Sequence, residues 1–207
     1  MKNTVWIVIG VLLIAIVTFF VIRNNRRTEV VTVEQQPSPN VLSETSETTK
    51  SAMKKTYLSA PSPIPATQIK GKRALIKTNR GDIIFELFSD VPIAASNFIF
   101  LTNDGFYDGL TFHRREENFV IQGGDPSGNG TGGPGYKFAD EVITRDYTRG
   151  IVAMANSGPN TNGSQFFIML ATSPLPKNYT IFGNVISGID VVDRIQVGDV
   201  MEKVTIE

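Results

Sequence analysis

The chain has 207 residues, and its 20 lysines and arginines balance its 20 aspartates and glutamates. Zero net charge argues against a nucleic-acid footprint, which needs a basic excess on one face. With no cysteine and one histidine, disulfides, thiolate chemistry, Cys-based metal sites and two-histidine metal motifs are excluded, while the redox compartment stays open.

Residues 3–22 carry no charge, and 4–22 are almost wholly apolar. At about 1.5 Å per residue a helix there spans roughly 30 Å, the hydrocarbon thickness of a bilayer. The run is longer than a signal-peptide apolar region, and no small-x-small pair follows it before Arg23. Residues 1–27 therefore read as an uncleaved anchor rather than a cleaved signal. Arg23, Arg26 and Arg27 follow the span, and Lys2 precedes it. That bias, read literally, puts the carboxyl side in the cytoplasm, but it is small and long domains translocate largely regardless of charge. The expectation is a single-pass cell-membrane protein, touching lipid through 4–22, with its folded domain outside the cytoplasm. Residues 28–68 are rich in Ser, Thr, Pro and Glu and read as a disordered spacer, because they cannot bury enough surface to offset chain entropy.

The folded domain is expected over 69–207, enough chain for one core. Strands are predicted at 73–78 and 82–88, where Ile83, Phe85 and Leu87 recur with a period of two. Asn79-Arg80-Gly81 joins them. A helix is predicted over 92–103, with Pro92 in its first turn and Gly105 closing it. Val91, Ala94 or Ala95, Phe98 and Leu101 form its inward face. Short strands follow at 111–114, 119–122, 151–154, 166–170 and 181–185. A second helix is predicted over 187–195, with Ser187 as N-cap and Ile189, Val192 and Ile195 inward. A last strand covers 200–206. Eight strands and two helices predict a mostly β fold, a closed eight-stranded antiparallel barrel capped by two helices.

Two stretches carry the chemistry. Residues 111–125 hold a fixed cation, Arg114, and an amide, Gln122, among Phe112, Phe119, Val120 and Ile121. Residues 153–168 again mix amides with apolar groups, as in Asn156, Gln165 and Phe167. The two are expected to line one pocket, shaped for a proline ring, with the arginine beside the preceding peptide bond. Other templates fail. Gly128 to Gly133 matches G-x-G-x-x-G, but Pro134-Gly135-Tyr136 follows and opens no helix for a pyrophosphate. No G-x-S-x-G elbow occurs. Asp125 suggests an acid–base carboxylate, whereas Glu116 and Glu117 read as solvated turn residues. His113, alone in a strand, reads as a hydrogen-bonded structural residue. What remains has no nucleophile and no metal. It suits rotation about a peptide bond, whose barrier is about 18–20 kcal/mol. A donor aimed at the prolyl nitrogen would bond the twisted state better than either planar one, and arginine stays charged with a fixed fork of donors.

These motifs resemble the cyclophilin family of peptidyl-prolyl isomerases: Phe-His-Arg at 112–114, Phe-Val-Ile-Gln-Gly-Gly-Asp at 119–125, Gly-Thr-Gly-Gly at 130–133, and the run at 154–168. The resemblance implies an eight-stranded barrel capped by two helices, no cofactor, proline-containing polypeptides as partners, and a monomeric domain assisting protein folding. By motif, Arg114 matches the catalytic arginine, and Gln122 the glutamine that places it. Phe119, Val120, Phe167 and Leu175 match the proline pocket, with Val120 replacing a commoner methionine. Ala155, Asn156 and Gln165 match the peptide groove, and His113 a groove histidine. Pro174 stands where many eukaryotic members carry a tryptophan, which implies weak cyclosporin binding. Tyr179, in place of a histidine, implies a bacterial-type member. Arg115 is less usual than an aliphatic residue. The alternative is a proline-binding module with incidental catalysis, which would need the apolar pocket but not Arg114 and Gln122.

Overall fold

The computed structural model describes residues 55–207, and the expected span at 4–22 lies outside them. Among the described residues no helix is long and apolar enough to cross a membrane. The single-pass anchor, the lipid contact and the membrane localisation expected from the sequence find no support among the described residues and are not carried further.

The elements run α1 (Ala66–Ile69), β1 (Arg73–Thr78), β2 (Gly81–Leu87), α2 (Pro92–Asn103), β3 (Arg114–Glu116), β4 (Val120–Gly123), β5 (Ile151–Met154), β6 (Phe166–Met169), β7 (Ile181–Ser187), α3 (Ile189–Arg194) and β8 (Met201–Ile206). They form one antiparallel sheet in the order β3-β4-β6-β5-β7-β2-β1-β8. The expected closed barrel is corrected to an open one, because β3 and β8 end the ladder without pairing to each other. A single bridge, Thr111 to Val200, joins the region between them. There the chain changes partners. Met201 N–H donates to Leu110 O at 2.8 Å and Phe112 N–H to Asp199 O at 2.9 Å, on the β8 side. One residue later His113 N–H donates to Gln122 O at 3.1 Å, on the β4 side. This switch is why the strand expected from residue 111 begins at Arg114.

The main core lies inside the curled sheet under α2. Its centre is Phe98, whose ring meets Phe85 at 5.3 Å, Phe182 at 5.4 Å, Phe166 at 5.7 Å and Tyr107 at 4.9 Å between centroids. Pro92 occupies the first turn of α2. At its end Gly105 N–H donates to Thr102 O and Phe106 N–H to Leu101 O, both at 2.9 Å, while Phe106 is buried. That is a Schellman closure with its apolar contact. The second helix starts later than expected. Ser187 ends β7, and Gly188 is the N-cap, its carbonyl accepting from Val191 and Val192 N–H at 3.0 Å each.

Strands β5 and β6 are buried at every position because the sheet is covered on both faces. Ile121, Val152, Met154, Phe166 and Ile168 belong to the main core. Their alternates Val120, Ala153, Phe167 and Met169 join Tyr147, Ile151 and Ile181 in a second cluster. The expected site residues sit on this second face.

Residues 55–68, expected to be part of a disordered spacer, are placed against the domain. Tyr57 packs on Phe100, with ring centroids 5.1 Å apart. Ile64 N–H donates to Ser96 Oγ at 2.8 Å, and Ile69 is fully buried. Of the apolar residues in the stretch, Tyr57, Ala60 and Ile64 pack against the core, while Leu58 is fully exposed.

Candidate active site

The register of three strands sets the site. Arg114 on β3 stands opposite Gln122 on β4, which stands opposite Phe167 on β6. Side chains two apart share a face, so Val120 joins Gln122, and Glu116 joins Arg114. His113, Arg114, Phe119, Val120, Gln122, Ala155, Asn156, Phe167, Leu175 and Tyr179 line one cavity of about 500 Å³, together with Asn129 and Gly130. Gln165 lines an adjoining groove of about 850 Å³, which shares Gln122, Gly130, Ala155 and Asn156 with the cavity.

The cavity is apolar at its base. Phe167 and Val120 are buried, and the Tyr179 ring stands edge-on to Phe167 with centroids 5.6 Å apart. Tyr147 fixes Tyr179 from behind: its hydroxyl donates to Tyr179 O at 2.9 Å and accepts from Tyr179 N–H at 3.0 Å. Nothing in the spacing of Tyr147 pointed to that part. Asn156 Nδ2 donates to Asn178 O at 2.8 Å, tying the groove to the same loop.

The polar side is a relay. Arg114 Nη1 donates to Gln122 Oε1 at 2.9 Å, and Gln122 Nε2 donates to Gln165 Oε1 at 2.9 Å. Gln165 Nε2 donates in turn to Gly130 O at 3.0 Å and Gly132 O at 2.8 Å. On the other side Arg114 Nε and Nη2 both donate to Glu116 Oε1, at 3.1 and 2.5 Å. The expectation that Glu116 is merely solvated is corrected: half-exposed, it holds the guanidinium. The period of two along β3 was the signal for it.

Arg115 points to the opposite face of β3, where Nη1 donates to Ile195 O at 2.9 Å beyond α3. It takes no place in the cavity. Asp125 is buried and builds a loop, with Oδ1 accepting from Ser127 N–H at 2.7 Å and Oδ2 from Asn129 and Gly130 N–H at 3.0 and 2.5 Å. Burial raises its pKa, but those three amides outweigh burial and hold the carboxyl below its usual range. It serves as a loop anchor, not as the acid–base group its position suggested. His113 is also corrected. Neither ring nitrogen has a hydrogen-bond partner among the described residues, and the ring lines the cavity. Burial lowers its pKa, and Arg114 adds to that while Asp125 opposes it.

An open antiparallel barrel with an apolar cup on its outer face and a pinned guanidinium at the rim defines a class of rotamase. Residues 73–207 match the family model for cyclophilin type peptidyl-prolyl cis-trans isomerase/CLD, and the chain belongs to that family. It is 47% identical over 137 residues to a peptidyl-prolyl cis-trans isomerase of Helicobacter pylori, covering 63% of this chain and 84% of that one. With one of Arabidopsis thaliana it shares 54% over 125 residues, covering 57% and 78%. The expected bacterial type is therefore corrected, since a plant relative is no less similar than a bacterial one. A crystal structure of a cyclophilin type isomerase from Cryptosporidium parvum superposes with a TM-score of 0.62 at 37% identity, covering 66% of this chain and 97% of that one. A second crystal structure of it, obtained in the presence of the dipeptide Ala-Pro, gives 0.61 at 38%, covering 65% and 98%. The chain is a peptidyl-prolyl cis-trans isomerase, an enzyme that accelerates rotation about X-Pro bonds.

Proposed function

We propose that the isomerisation takes place in the 500 Å³ cavity, with Arg114 as the group that favours the twisted bond. The substrates are proline-containing polypeptides. The prolyl ring sits on Phe119, Val120, Phe167 and Leu175, and Ala155, Asn156 and Tyr179 bound it on the far side. With the ring held, the carbonyl before it rotates. Conjugation is lost at the midpoint, the lone pair localises on the prolyl nitrogen, and Arg114 donates to it. Planar ground states offer that donor much less density, so the bond is stronger in the transition state. A preorganised transition-state donor of this kind contributes about 2.7–4 kcal/mol, roughly a hundred- to a thousandfold in rate.

The observation that carries this reading is the double hold on Arg114 by Glu116 and Gln122. A donor already aimed needs no reorganisation when charge develops. His113, kept neutral by burial, adds no second cation beside it.

Arg114→Ala should lower kcat/KM for a short Ala-Pro peptide by roughly 10²–10³, as when a transition-state donor is removed. The rate is read from cis–trans exchange by NMR. Near-normal exchange in that variant rejects the role. Equal protection of a folding client by both proteins, with exchange abolished in one, would favour the binding-module reading instead.

A further inference from the structure

The family match begins at residue 73, yet the structure builds part of the peptide groove from residues before it. Thr56 lines the 850 Å³ groove that adjoins the cavity, facing a wall made by the loop at 130–137. Tyr57 N–H donates to Pro134 O at 2.8 Å. The backbones lie so close that a Cβ on Gly135, which has φ +96°, would stand 2.8 Å from Tyr57 O. A left-handed glycine is what allows that approach.

Tyr57 is held in place from three directions. Its ring meets Phe100 at 5.1 Å, Phe106 at 6.1 Å and Tyr136 at 6.3 Å between centroids. Its hydroxyl donates to Asp104 Oδ2 at 2.7 Å, and Lys55 pairs with the same carboxylate at 3.1 Å. Tyr136 carries the hold inward, donating to Asn97 Oδ1 at 2.6 Å. The brace thus fixes the 134–136 end of the loop. The other end, near Gly130, is held separately by Asp125. Gln165 reads that second end through Gly130 and Gly132, so the relay to Arg114 does not run through Tyr57.

We infer that residues 55–57 are a specificity element of this enzyme: Thr56 is a wall of the groove that receives the polypeptide flanking the proline, and Tyr57 positions it. The inference rests on the cavity assignment above. It concerns chain that lies beyond the prolyl ring, so it affects long substrates and spares short ones.

The test uses the full chain and two peptides that share one Ala-Pro bond, a blocked tetrapeptide and a dodecapeptide centred on that bond. Tyr57→Ala and Thr56→Trp are compared with wild type and Tyr57→Phe, which keeps the ring. Thr56 is exposed, so its variant folds whatever the fate of Tyr57→Ala. For the dodecapeptide, Tyr57→Ala and Thr56→Trp should raise KM about three- to tenfold with kcat unchanged, the mark of lost uniform binding. Tyr57→Phe should restore most of it. The tetrapeptide should show wild-type kcat/KM in every variant. Equal loss on both peptides, or no loss on the dodecapeptide, overturns the inference. Normal tetrapeptide turnover in Arg114→Ala would instead overturn the cavity assignment, so the two failures are distinguishable.

Discussion

A guanidinium helps a rotating bond only if it is aimed before the substrate arrives. Arg114 is half-exposed, and so is Glu116; an exposed pair of this kind adds little to stability. In the function proposed above its value lies in orientation, since Glu116 and Gln122 accept from the two sides of the fork. Arg114 and Gln122 stood out in the sequence because a cation and an amide between aromatics suit few other reactions, and the structure brings both to one cavity. Glu116 was misread because turn composition was weighed above strand alternation. The hydrogen-bonded reading of His113 failed because a sequence does not show whether a ring nitrogen finds a partner. The chain has one histidine, so a single imidazole resonance reports on the site. Its midpoint should lie below the ordinary value of about 6.5, because burial disfavours the cation. The sign for stability follows: the unfolded chain binds more protons between the two pKa values, so this contribution is complete above about 6.5 and is lost as pH falls through the folded value. A histidine titrating at or above 6.5 would contradict the burial.

At the scale of elements, periodicity found what packing repeats and missed what contacts decide. Strand β1, helix α2 and strand β5 have the bounds expected from pattern alone, β1 through alternation, α2 through the proline that opens it and the glycine after its end, and β5 as a short continuous apolar run. The closure of the barrel was not legible, because the partner switch between Phe112 and His113 is a matter of register. The start of α3 was not legible either. Ser187 is the better capping residue by type, but Gly188 takes the position, with φ +79° and a would-be Cβ 2.1 Å from Asp82 O. The backbone of the β1–β2 hairpin fills the space a side chain would need. Gly188→Ala should therefore destabilise the fold by about 2–4 kcal/mol, through backbone strain and displacement of a neighbouring carbonyl. Urea unfolding at equilibrium measures it. Ser187→Ala should fall within about ±0.5 kcal/mol, as for an exposed strand-end position.

For the molecule as a whole, the unit that packs is larger than the unit the family pattern covers. Composition suggested a spacer through residue 68, because Pro, Ser and Thr dominate there. Composition counts residues, whereas docking needs only a few well-placed ones. Tyr57, Ala60 and Ile64 pack against the main core, and Ile69 belongs to it. Lys72 O accepts from Leu87 N–H at 3.0 Å, extending the ladder just before β1. A chain cut to 73–207 loses all of these. Exposing the pocket that Ile69 fills should cost about 1.5–3 kcal/mol, the transfer free energy of one large aliphatic side chain, and the lost aromatic contacts of Tyr57 add about 0.5–1.5 kcal/mol. Against a typical domain stability of about 5–15 kcal/mol that is a large fraction. The 73–207 chain should unfold at a clearly lower urea concentration than a chain beginning at Lys55. Coincident midpoints for the two would mean that residues 55–57 and α1 rest on the domain without stabilising it.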